Sequence, residues 1–272
     1  MLFFVCSPIG NLNDISIRSI DALNECSMIF CEDTRKSNLL LKHHDIHTDC
    51  VSFHEHNETT VIPEIIELLK DNKTICILSD AGAPMISDPG YKLVQRCIEE
   101  DIEFTVLPGP SSLINAVLMC GLPSEDFIFF GFIPRKEQQK IKFFKSQKNI
   151  DHTLVFFDSI KRLQTTIEIM HSIFGPKRKI AICREMTKVH EEIIRGDLES
   201  ILQRIVSGSI TLKGEIVIVV ERIGTDSNEF ALNDEVRNEL LKKLSPSEAA
   251  KLISLMTNHK RRDIYDLSLI HI

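Results

Sequence analysis

Short apolar runs alternate with segments of helical periodicity along residues 1–120, and this alternation restricts the fold more than any other feature. Each run is rich in β-forming residues, and each precedes a stretch whose apolar residues recur with helical spacing. Such alternation predicts a mostly parallel sheet with helices on both faces. The predicted strands are 2–6, 28–31, 74–78 and 103–107, and the predicted helices are 16–25, 34–44, 60–71 and 91–101.

A polar segment rich in turn formers, residues 121–126, separates this pattern from a second one. Several strands of the second pattern follow one another without a helix, which favours a mixed sheet. We therefore predict an α/β fold of two domains, 1–121 and 122–224, with a short C-terminal helical tail, 225–272. The later strands are predicted at 127–132, 153–157, 179–184, 189–195 and 215–220, with helices at 160–174 and 197–206.

Composition excludes several classes of protein. The chain has 272 residues, 43% of them hydrophobic, which is enough for about two domains with ordinary cores. No apolar run approaches the roughly 20 residues that cross a bilayer. The eight cysteines include no C-x-x-C pair. We expect a cytoplasmic protein with reduced cysteines, and neither secretion nor membrane insertion.

The charge of the chain bears on nucleic-acid binding. A formal net charge of −7 argues against coating nucleic acid by bulk attraction, but binding depends on local patches. Residues 133–150 carry six basic side chains against one acid, and Lys260-Arg261-Arg262 lies near the end. Each patch fits either a phosphate-binding surface or an ordinary solvated helix face.

Four loops after the first predicted strands are rich in glycine, proline and small residues. Because the carboxyl ends of parallel strands share one edge of a sheet, these loops are expected to converge on one crevice. Glycine admits close backbone approach and proline stiffens a loop, so a small-molecule pocket is predicted there. Neither G-x-G-x-x-G nor G-x-x-x-x-G-K-[ST] is present, which disfavours a standard dinucleotide or P-loop site. The loops are residues 7–12, 32–35, 79–90 and 108–112.

Longer motifs in these loops and beyond resemble a known family. The tetrapyrrole-methylase-like (class III) S-adenosylmethionine methyltransferases are similar in these motifs, in particular the branch that methylates small-subunit ribosomal RNA. The motifs occur in order over about residues 1–224, and the stretch 79–90 is the most specific of them. They are Ser7-Pro8-Ile9-Gly10-Asn11-Leu12, Glu32-Asp33-Thr34-Arg35, His54-Glu55-His56-Asn57, Ser79-Asp80-Ala81-Gly82-Ala83-Pro84, Pro108-Gly109-Pro110-Ser111, Arg184-Glu185 with Thr187-Lys188, and Lys213-Gly214-Glu215.

The resemblance implies an activity, a cofactor and partners. It implies S-adenosyl-L-methionine as methyl donor, a homodimer, and 2′-O-methylation of a cytidine ribose in the decoding region of 16S rRNA, free or within the 30S subunit. The positions similar to cofactor-lining ones are Ile9, Asp80, Ala83, Ser112, Leu113 and, from the second domain, Gly214. Ala83 departs from the threonine expected in this turn, which removes one hydroxyl group from the pocket.

Transfer to a ribose hydroxyl benefits from alignment and from a general base. The candidate catalytic residues are Glu32, Asp33, Arg35, Arg184 and Glu185, the basic ones positioning phosphates or stabilising developing charge. Candidate substrate contacts are His54, His56, Asn57, Arg135, Lys136 and Lys188. Which residue acts as the base stays open.

Two alternatives accompany this interpretation. The first is a methyltransferase of the same fold that acts on a small molecule such as a tetrapyrrole, and the second is a noncatalytic RNA-binding or ribosome-assembly factor. Five histidines between residues 43 and 56 raise the question of zinc, because His54 and His56 would share a face of a strand. No closed ligand set has the usual spacing, so no metal is expected.

Overall fold

A computed structural model of the chain describes residues 1–86, 90–223 and 243–256. In these ranges, no helix is long and apolar enough to cross a membrane. Contacts divide the chain into two compact units, one of residues 1–148 with 152–221 and one of Asn149–Asp151 with Arg222–Ile272. Both sheets lie in the first unit, and the predicted boundary at 121/122 falls between them. The basic triplet 260–262 and residue 224 lie outside the described residues.

The first sheet is wholly parallel, as predicted. Its strand order is β3-β2-β4-β1-β5, so the first strand lies between two that come much later in the chain. The central strand β4 is buried along its whole length because helices cover both faces. The strands are β1 (Leu2–Val5), β2 (Met28–Cys31), β3 (Cys50–Ser52), β4 (Ile75–Leu78) and β5 (Phe104–Leu107).

Five helices accompany this sheet, and side-chain caps explain where three of them begin. The hydroxyl of Ser16 accepts from Ser19 N, the carboxylate of Asp33 from Arg35 N, and the hydroxyl of Ser111 from Ile114 N. Each cap satisfies an amide that the first helical turn leaves without a partner. The helices are α1 (Ile17–Glu25), α2 (Thr34–His43), α3 (Glu58–Lys70), α4 (Tyr91–Glu99) and α5 (Ser112–Met119).

The second sheet is mixed, again as predicted. Its order is β6-β7-β10-β8-β9, where only the β6–β7 pair is parallel. The β6–β7 register shifts between Phe129 and Phe132, and Gly131 between them has a φ of 68°. The strands are β6 (Phe127–Phe132), β7 (Thr153–Ser159), β8 (Lys179–Arg184), β9 (Glu192–Asp197) and β10 (Glu215–Val220).

Three helices belong to this sheet, and a fourth lies in the second unit. The strand predicted at 189–195 begins later, at Glu192, because residues 185–191 form a loop in which Glu185 and Thr187 have positive φ. The helices are α6 (Glu137–Gln147), α7 (Leu163–Phe174), α8 (Leu198–Val206) and, in the second unit, α9 (Pro246–Met256). The helix α9 accords with the start predicted at Pro246.

The basic segment 133–150 is not a uniform solvated face. Lys140, one of its six basic residues, is only 2% exposed, so its expected place on the surface is wrong. Its ammonium group donates to Thr166 Oγ1 at 2.9 Å, and that hydroxyl donates to Asp158 Oδ2 at 2.6 Å. Asp158 also pairs with Arg162. The buried lysine is therefore tied to a buried carboxylate of β7, which offsets part of the cost of burying either charge.

One apolar cluster joins the two sheets. Ile9, from the loop after β1, and Ala116 and Val117 of α5 pack against residues of the second sheet. These partners are buried side chains of β7, β8 and β10. The packing holds the carboxyl-end loops of the first sheet beside the second sheet. The partners are Val155, Ala181, Cys183, Val217 and Val219.

Candidate functional site

A cavity of about 370 Å³ lies where the loops of the first sheet meet the second sheet. Its volume is within the range of small-molecule sites, about 300–1,000 Å³. Among the described residues, five carboxylates and two lysines line it, together with apolar and small side chains. The carboxylates are Glu32, Asp80, Asp158, Glu185 and Glu215, the lysines are Lys36 and Lys188, and the others include Ile9, Ala81, Ile86, Ser112, Phe132, Phe157 and Met186.

The loops after β1 and β4 are fastened to each other at the edge of this cavity. Ser7 and Gly82 exchange two backbone hydrogen bonds of 2.9 Å. The hydroxyl of Ser7 donates to Ser79 O at 2.6 Å, and that of Ser79 donates to Gly82 O at 2.6 Å. Gly82 has a φ of 79°, which a residue with a Cβ rarely adopts. The two loops therefore form one rigid wall.

Asp80 follows β4 and connects this wall to the loop after β2. One carboxylate oxygen accepts from Asp33 N at 3.0 Å, and the other from Lys36 Nζ at 2.7 Å. Lys36 also lines the cavity, so Asp80 presents a paired rather than a lone negative charge there. Asp80 thus both orients α2 and contributes to the cavity wall.

Glu32 and Asp33 are neighbours in the chain, but their surroundings differ. Glu32 lines the cavity, where burial, and secondarily the charge of Asp80, raises its pKa. Asp33 caps α2 and binds Arg35 through both carboxylate oxygens, at 3.0 and 2.8 Å. Those hydrogen bonds from Arg35 lower the pKa of Asp33 to about 2. Glu32 therefore binds a proton more readily than Asp33 does.

Glu185, Lys188 and Glu215 form a second charged cluster, from the loop after β8 and the start of β10. Lys188 Nζ donates to Glu185 Oε1 at 2.9 Å and to Glu215 Oε2 at 2.8 Å. Burial acts to raise the pKa of Glu185, but the Glu215 amide and Lys188 outweigh it and lower that pKa. Burial likewise acts to lower the pKa of Lys188, and its two carboxylate partners raise it instead. Lys188 is therefore held as a cation.

Two glycines allow the backbone to approach this cluster closely. A Cβ on Gly10 would lie 2.5 Å from Lys188 Cγ and 2.8 Å from the backbone oxygen of Met186. A Cβ on Gly214 would lie 2.5 Å from Glu185 Cδ, and Gly214 has a φ of 99°. Distances this short leave no room for a side chain. The glycines in Gly10-Asn11 and Lys213-Gly214 thus have a steric role.

Of the six predicted cofactor contacts, Ile9, Asp80 and Ser112 line the cavity. The other three are near lining residues in the chain but are not on the cavity wall. Ala83 is half-buried in the loop after β4, Leu113 packs into the cluster between the sheets, and Gly214 precedes Glu215. The structure therefore collects the predicted cofactor loops in one place.

The predicted catalytic and substrate residues are dispersed. Glu32, Glu185 and Lys188 line the cavity. Arg184 is 8% exposed and donates to Glu192 Oε2 and Lys213 O, an arrangement that braces β8 against its neighbours. Arg35 is on the surface, where it pairs with the half-buried Asp33. Arg135 and Lys136 are exposed just before α6.

The motif His54-Glu55-His56-Asn57 forms a turn that leads into α3. Asn57 Oδ1 accepts from His54 N, and Asn57 Nδ2 donates to Ser52 O, each at 2.8 Å. His54 is half-buried and lies near Glu32, whereas His56 is exposed. No three His, Cys, Asp or Glu side chains converge as metal ligands in the part of the chain that the structure describes.

Several cavity residues had little or no signal in the sequence. Phe132, Phe157 and Asp158 belong to apolar runs that indicate only buried strands. Lys36 lies one residue beyond the motif that contains Glu32 and Arg35. A polar residue near the carboxyl end of an otherwise apolar strand, such as Asp158, was the one available clue.

Comparisons with known proteins agree with this geometry. The family model for tetrapyrrole (corrin/porphyrin) methylases matches residues 1–202. A protein of Halalkalibacterium halodurans named ribosomal RNA small subunit methyltransferase I is 38% identical, over 98% of this chain and 93% of its own. One of the same name from Hydrogenobaculum sp. is 42% identical, over 82% of this chain and 96% of its own.

Solved structures show the same fold at low sequence identity. Uroporphyrin-III C-methyltransferase from Thermus thermophilus has a TM-score of 0.57 at 16% identity, covering 81% of this chain and 94% of its own. Diphthine synthase has a TM-score of 0.64 at 15% identity, covering 81% of this chain and 89% of its own. With the family match over 1–202 and relatives this similar, the chain is a methyltransferase that belongs to the tetrapyrrole (corrin/porphyrin) methylase family.

Proposed function

We propose that this methyltransferase uses S-adenosyl-L-methionine to methylate the ribose 2′-oxygen of a cytidine in the decoding region of 16S rRNA. Relatives 36–42% identical carry a name that specifies small-subunit ribosomal RNA. The motifs at residues 54–57, 184–188 and 213–215, outside the cofactor loops, resemble the same branch of the family. This substrate places the protein in the cytoplasm.

The charge of the cavity is the observation that best supports the cofactor. Four of the described carboxylates, Glu32, Asp80, Glu185 and Glu215, face two lysines there, so the wall carries an excess of negative charge; the fifth, Asp158, is buried and paired with Arg162. When bound, S-adenosylmethionine supplies a methyl group activated by a positively charged sulfonium. An acidic wall attracts such a cation, and the attraction is stronger in a partly enclosed site than in water. Asp80, Ile9 and Ser112 are the cavity residues proposed to hold it, with Ala83, Leu113 and Gly214 supporting them.

Glu32 is the residue that we propose as general base. With the cofactor bound, the attacking hydroxyl would give its proton to a carboxylate oxygen of Glu32 as its oxygen takes the methyl group, while the sulfonium sulfur would keep the electron pair of the broken sulfur–methyl bond. Its pKa is raised towards the working range, which suits proton transfer. Glu185 is less suitable because its pKa is lowered, and Lys188 is a cation held by two carboxylates. Lys188 instead stabilises negative charge that develops near the attacking oxygen.

We further propose that the enzyme is a homodimer. The edge strand β5 and the helix after it expose three apolar side chains: Val106 at 46%, Ile114 at 45% and Leu118 at 75%. Apolar surface of this kind is common at subunit interfaces. Sedimentation velocity of the wild type and of Leu118→Lys tests this: the variant should shift towards monomer. A wild type that sediments as a monomer at micromolar concentration would contradict the dimer.

The function is tested by transfer of tritium from labelled S-adenosylmethionine. The acceptors are 30S subunits and naked 16S rRNA from a strain lacking this modification, and a tetrapyrrole such as uroporphyrinogen III. We expect label in one cytidine of the rRNA, resistant to alkaline hydrolysis at the next phosphodiester because the 2′-oxygen is blocked. Label in the tetrapyrrole alone would replace the RNA substrate by a small molecule.

A further inference from the structure

Phe132 is an unusual residue for the wall of a cavity. It is 62% exposed, although it belongs to a strand and lines the same cavity as Glu32 and Asp80. Large aromatic side chains gain stability from burial. A ligand that covers the face of Phe132 in the working complex would supply the burial that this ring lacks at the cavity wall.

An irregularity in the backbone of β6 orients the side chain of Phe132 towards the cavity. The register with β7 shifts between Phe129 and Phe132, and Gly131 adopts a φ of 68° within the shift. Irregularities of this kind redirect side chains and are frequent next to active sites. Without the shift, the alternation of a regular strand would give residue 132 a different position relative to Phe129.

The ring of Phe132 packs against other aromatic rings of the second sheet. It contacts Phe157 edge to face with centroids 5.4 Å apart, and Phe157 contacts Phe129 in the same way at 4.8 Å. Such contacts hold an aromatic ring in a fixed orientation. A supported ring keeps one surface available at low entropic cost, which is the property of a stacking platform.

The charges nearby indicate which kind of group would stack there. The cavity wall is acidic, so it repels phosphates, whereas the exposed Arg135 and Lys136 follow Phe132 by a few residues. A nucleotide meets both conditions when its phosphates stay with the basic pair and its uncharged base and sugar enter the cavity. Proteins commonly bind an unstacked base on an aromatic side chain in this way.

We propose that Phe132 is the platform on which the base of the target nucleotide stacks. This inference rests on the proposed RNA substrate and adds the residue that recognises the base. Phe132 would act by positioning: stacking fixes the nucleotide so that its ribose hydroxyl lies within reach of Glu32. Phe157 and Phe129 hold the platform, and Arg135 and Lys136 hold the adjoining phosphates.

The test compares Phe132→Trp, Phe132→Leu and Phe132→Ala with the wild type, using undermethylated 30S subunits as acceptor. Phe132→Leu and Phe132→Ala should raise KM for the subunits about tenfold, the order expected when one base no longer stacks on an aromatic ring. Phe132→Trp, which keeps an aromatic face, should stay within about threefold of the wild type. Val206→Ala, which alters an exposed apolar residue at the end of α8, serves as control and should have no effect.

Two further measurements separate stacking from other roles of Phe132. Calorimetry should give the same affinity of all variants for S-adenosylmethionine, and sedimentation should give the same oligomeric state. Weaker cofactor binding would mean that Phe132 contacts the cofactor, and a changed oligomeric state would mean that it contacts a second copy; either overturns the proposal. An unchanged KM for Phe132→Leu also overturns it. A wild type that methylates no RNA overturns the proposed function and this inference with it.

Discussion

The acidic side chains of the cavity differ in what their neighbours allow them to do. Asp80 is engaged by Lys36 and by a backbone amide, and Glu185 by Lys188 and by the amide of Glu215. Glu32 is the carboxylate whose pKa burial raises. The same chemical group therefore has two uses in one site, since paired carboxylates shape the wall and Glu32 is suited to exchange a proton.

Glu32→Gln should lower kcat for methyl transfer by about 10²- to 10⁴-fold, because the amide cannot take the proton of the attacking hydroxyl. In the wild type, kcat should fall as the pH drops through the pKa of Glu32. Because that pKa is raised, the fall should lie above the ordinary glutamate value of about 4.3. Stopped assays over pH 4.5–8.5 measure both effects. A glutamine variant with wild-type kcat and the same pH profile would exclude Glu32 as the base.

Asp80→Asn should weaken binding of S-adenosylmethionine about tenfold, which is about 1.4 kcal/mol, because the cavity loses a negative charge. Lys36→Met is the matched comparison, since it removes the partner at 2.7 Å and leaves the carboxylate. If charge is the cause, that variant should bind the cofactor at least as well as the wild type. Calorimetry gives the affinities and circular dichroism checks the fold. Equal losses in both variants would indicate a structural role for the pair instead.

At the scale of the elements, the sequence predicted the order of most strands and helices, but it did not predict every strand and helix or where each one begins. Apolar runs and helical spacing predicted both sheets and most helices. The strand Cys50–Ser52 is too short to give a periodic signal, and α5 begins at Ser112, inside a loop recognised by its Gly and Pro residues. The bulge that aims Phe132 depends on pairing between two strands, which no local pattern contains.

The site was predictable to a similar degree. The loops at the carboxyl ends of parallel strands had to meet, so Ile9, Asp80, Ser112 and Glu32 were within reach of the sequence. The second sheet also contributes cavity residues, such as Phe157 and Asp158. Their place in the cavity depends on how the two sheets pack, and the sequence of their strand predicts only a buried strand. Glu185 was recognisable from its motif, but the motif did not predict its positive φ or its ion pair with Lys188.

The helix α6 carries a prediction about stability. Burial lowers the pKa of Lys140, so unfolding takes up a proton at pH values between that pKa and the ordinary lysine value of about 10.4. The free energy of unfolding should therefore rise with pH in that interval, as far as Lys140 contributes. Lys140→Met should flatten this rise, and Lys142→Met, on the exposed side of α6, should not.

Urea unfolding between pH 7 and 10.5, under reducing conditions, measures this contribution. Cysteine thiols of the unfolded chain titrate in the same range, so the comparison is between the two lysine variants, which share every cysteine. Identical pH dependence for Lys140→Met and Lys142→Met would mean that the buried amine keeps an ordinary pKa.

For the whole molecule, the sign of the net charge and the nature of the proposed substrate are at odds. A chain of net charge −7 repels RNA at a distance, so binding depends on small basic surfaces. Among the described residues, Arg135 and Lys136 are exposed and lie close in sequence to Phe132. Attraction confined to a few cations gives binding with a shallow salt dependence.

Arg135→Glu with Lys136→Glu should weaken binding to undermethylated 30S subunits and reduce the slope of log affinity against log salt by about 2, or about 1 for each phosphate that is no longer neutralised. Lys177→Glu is the control, because Lys177 is 85% exposed and lies before β8, at the end opposite Cys183 of the cavity. Filter binding at several KCl concentrations measures the slopes. A slope equal to that of the wild type would remove the two residues from the RNA-binding surface.

The order of strands in the two sheets also determines when each can assemble on the ribosome. β1 is synthesised first, but its partners β4 and β5 end at Leu78 and Leu107. The first sheet therefore cannot form completely until the chain has been synthesised as far as Leu107. β10 lies between β7 and β8, so the second sheet stays divided until Val220 has emerged. The cavity needs Glu215 as well as Glu32. A nascent chain can therefore form this cavity only after nearly all of the first unit, residues 1–148 and 152–221, has been translated.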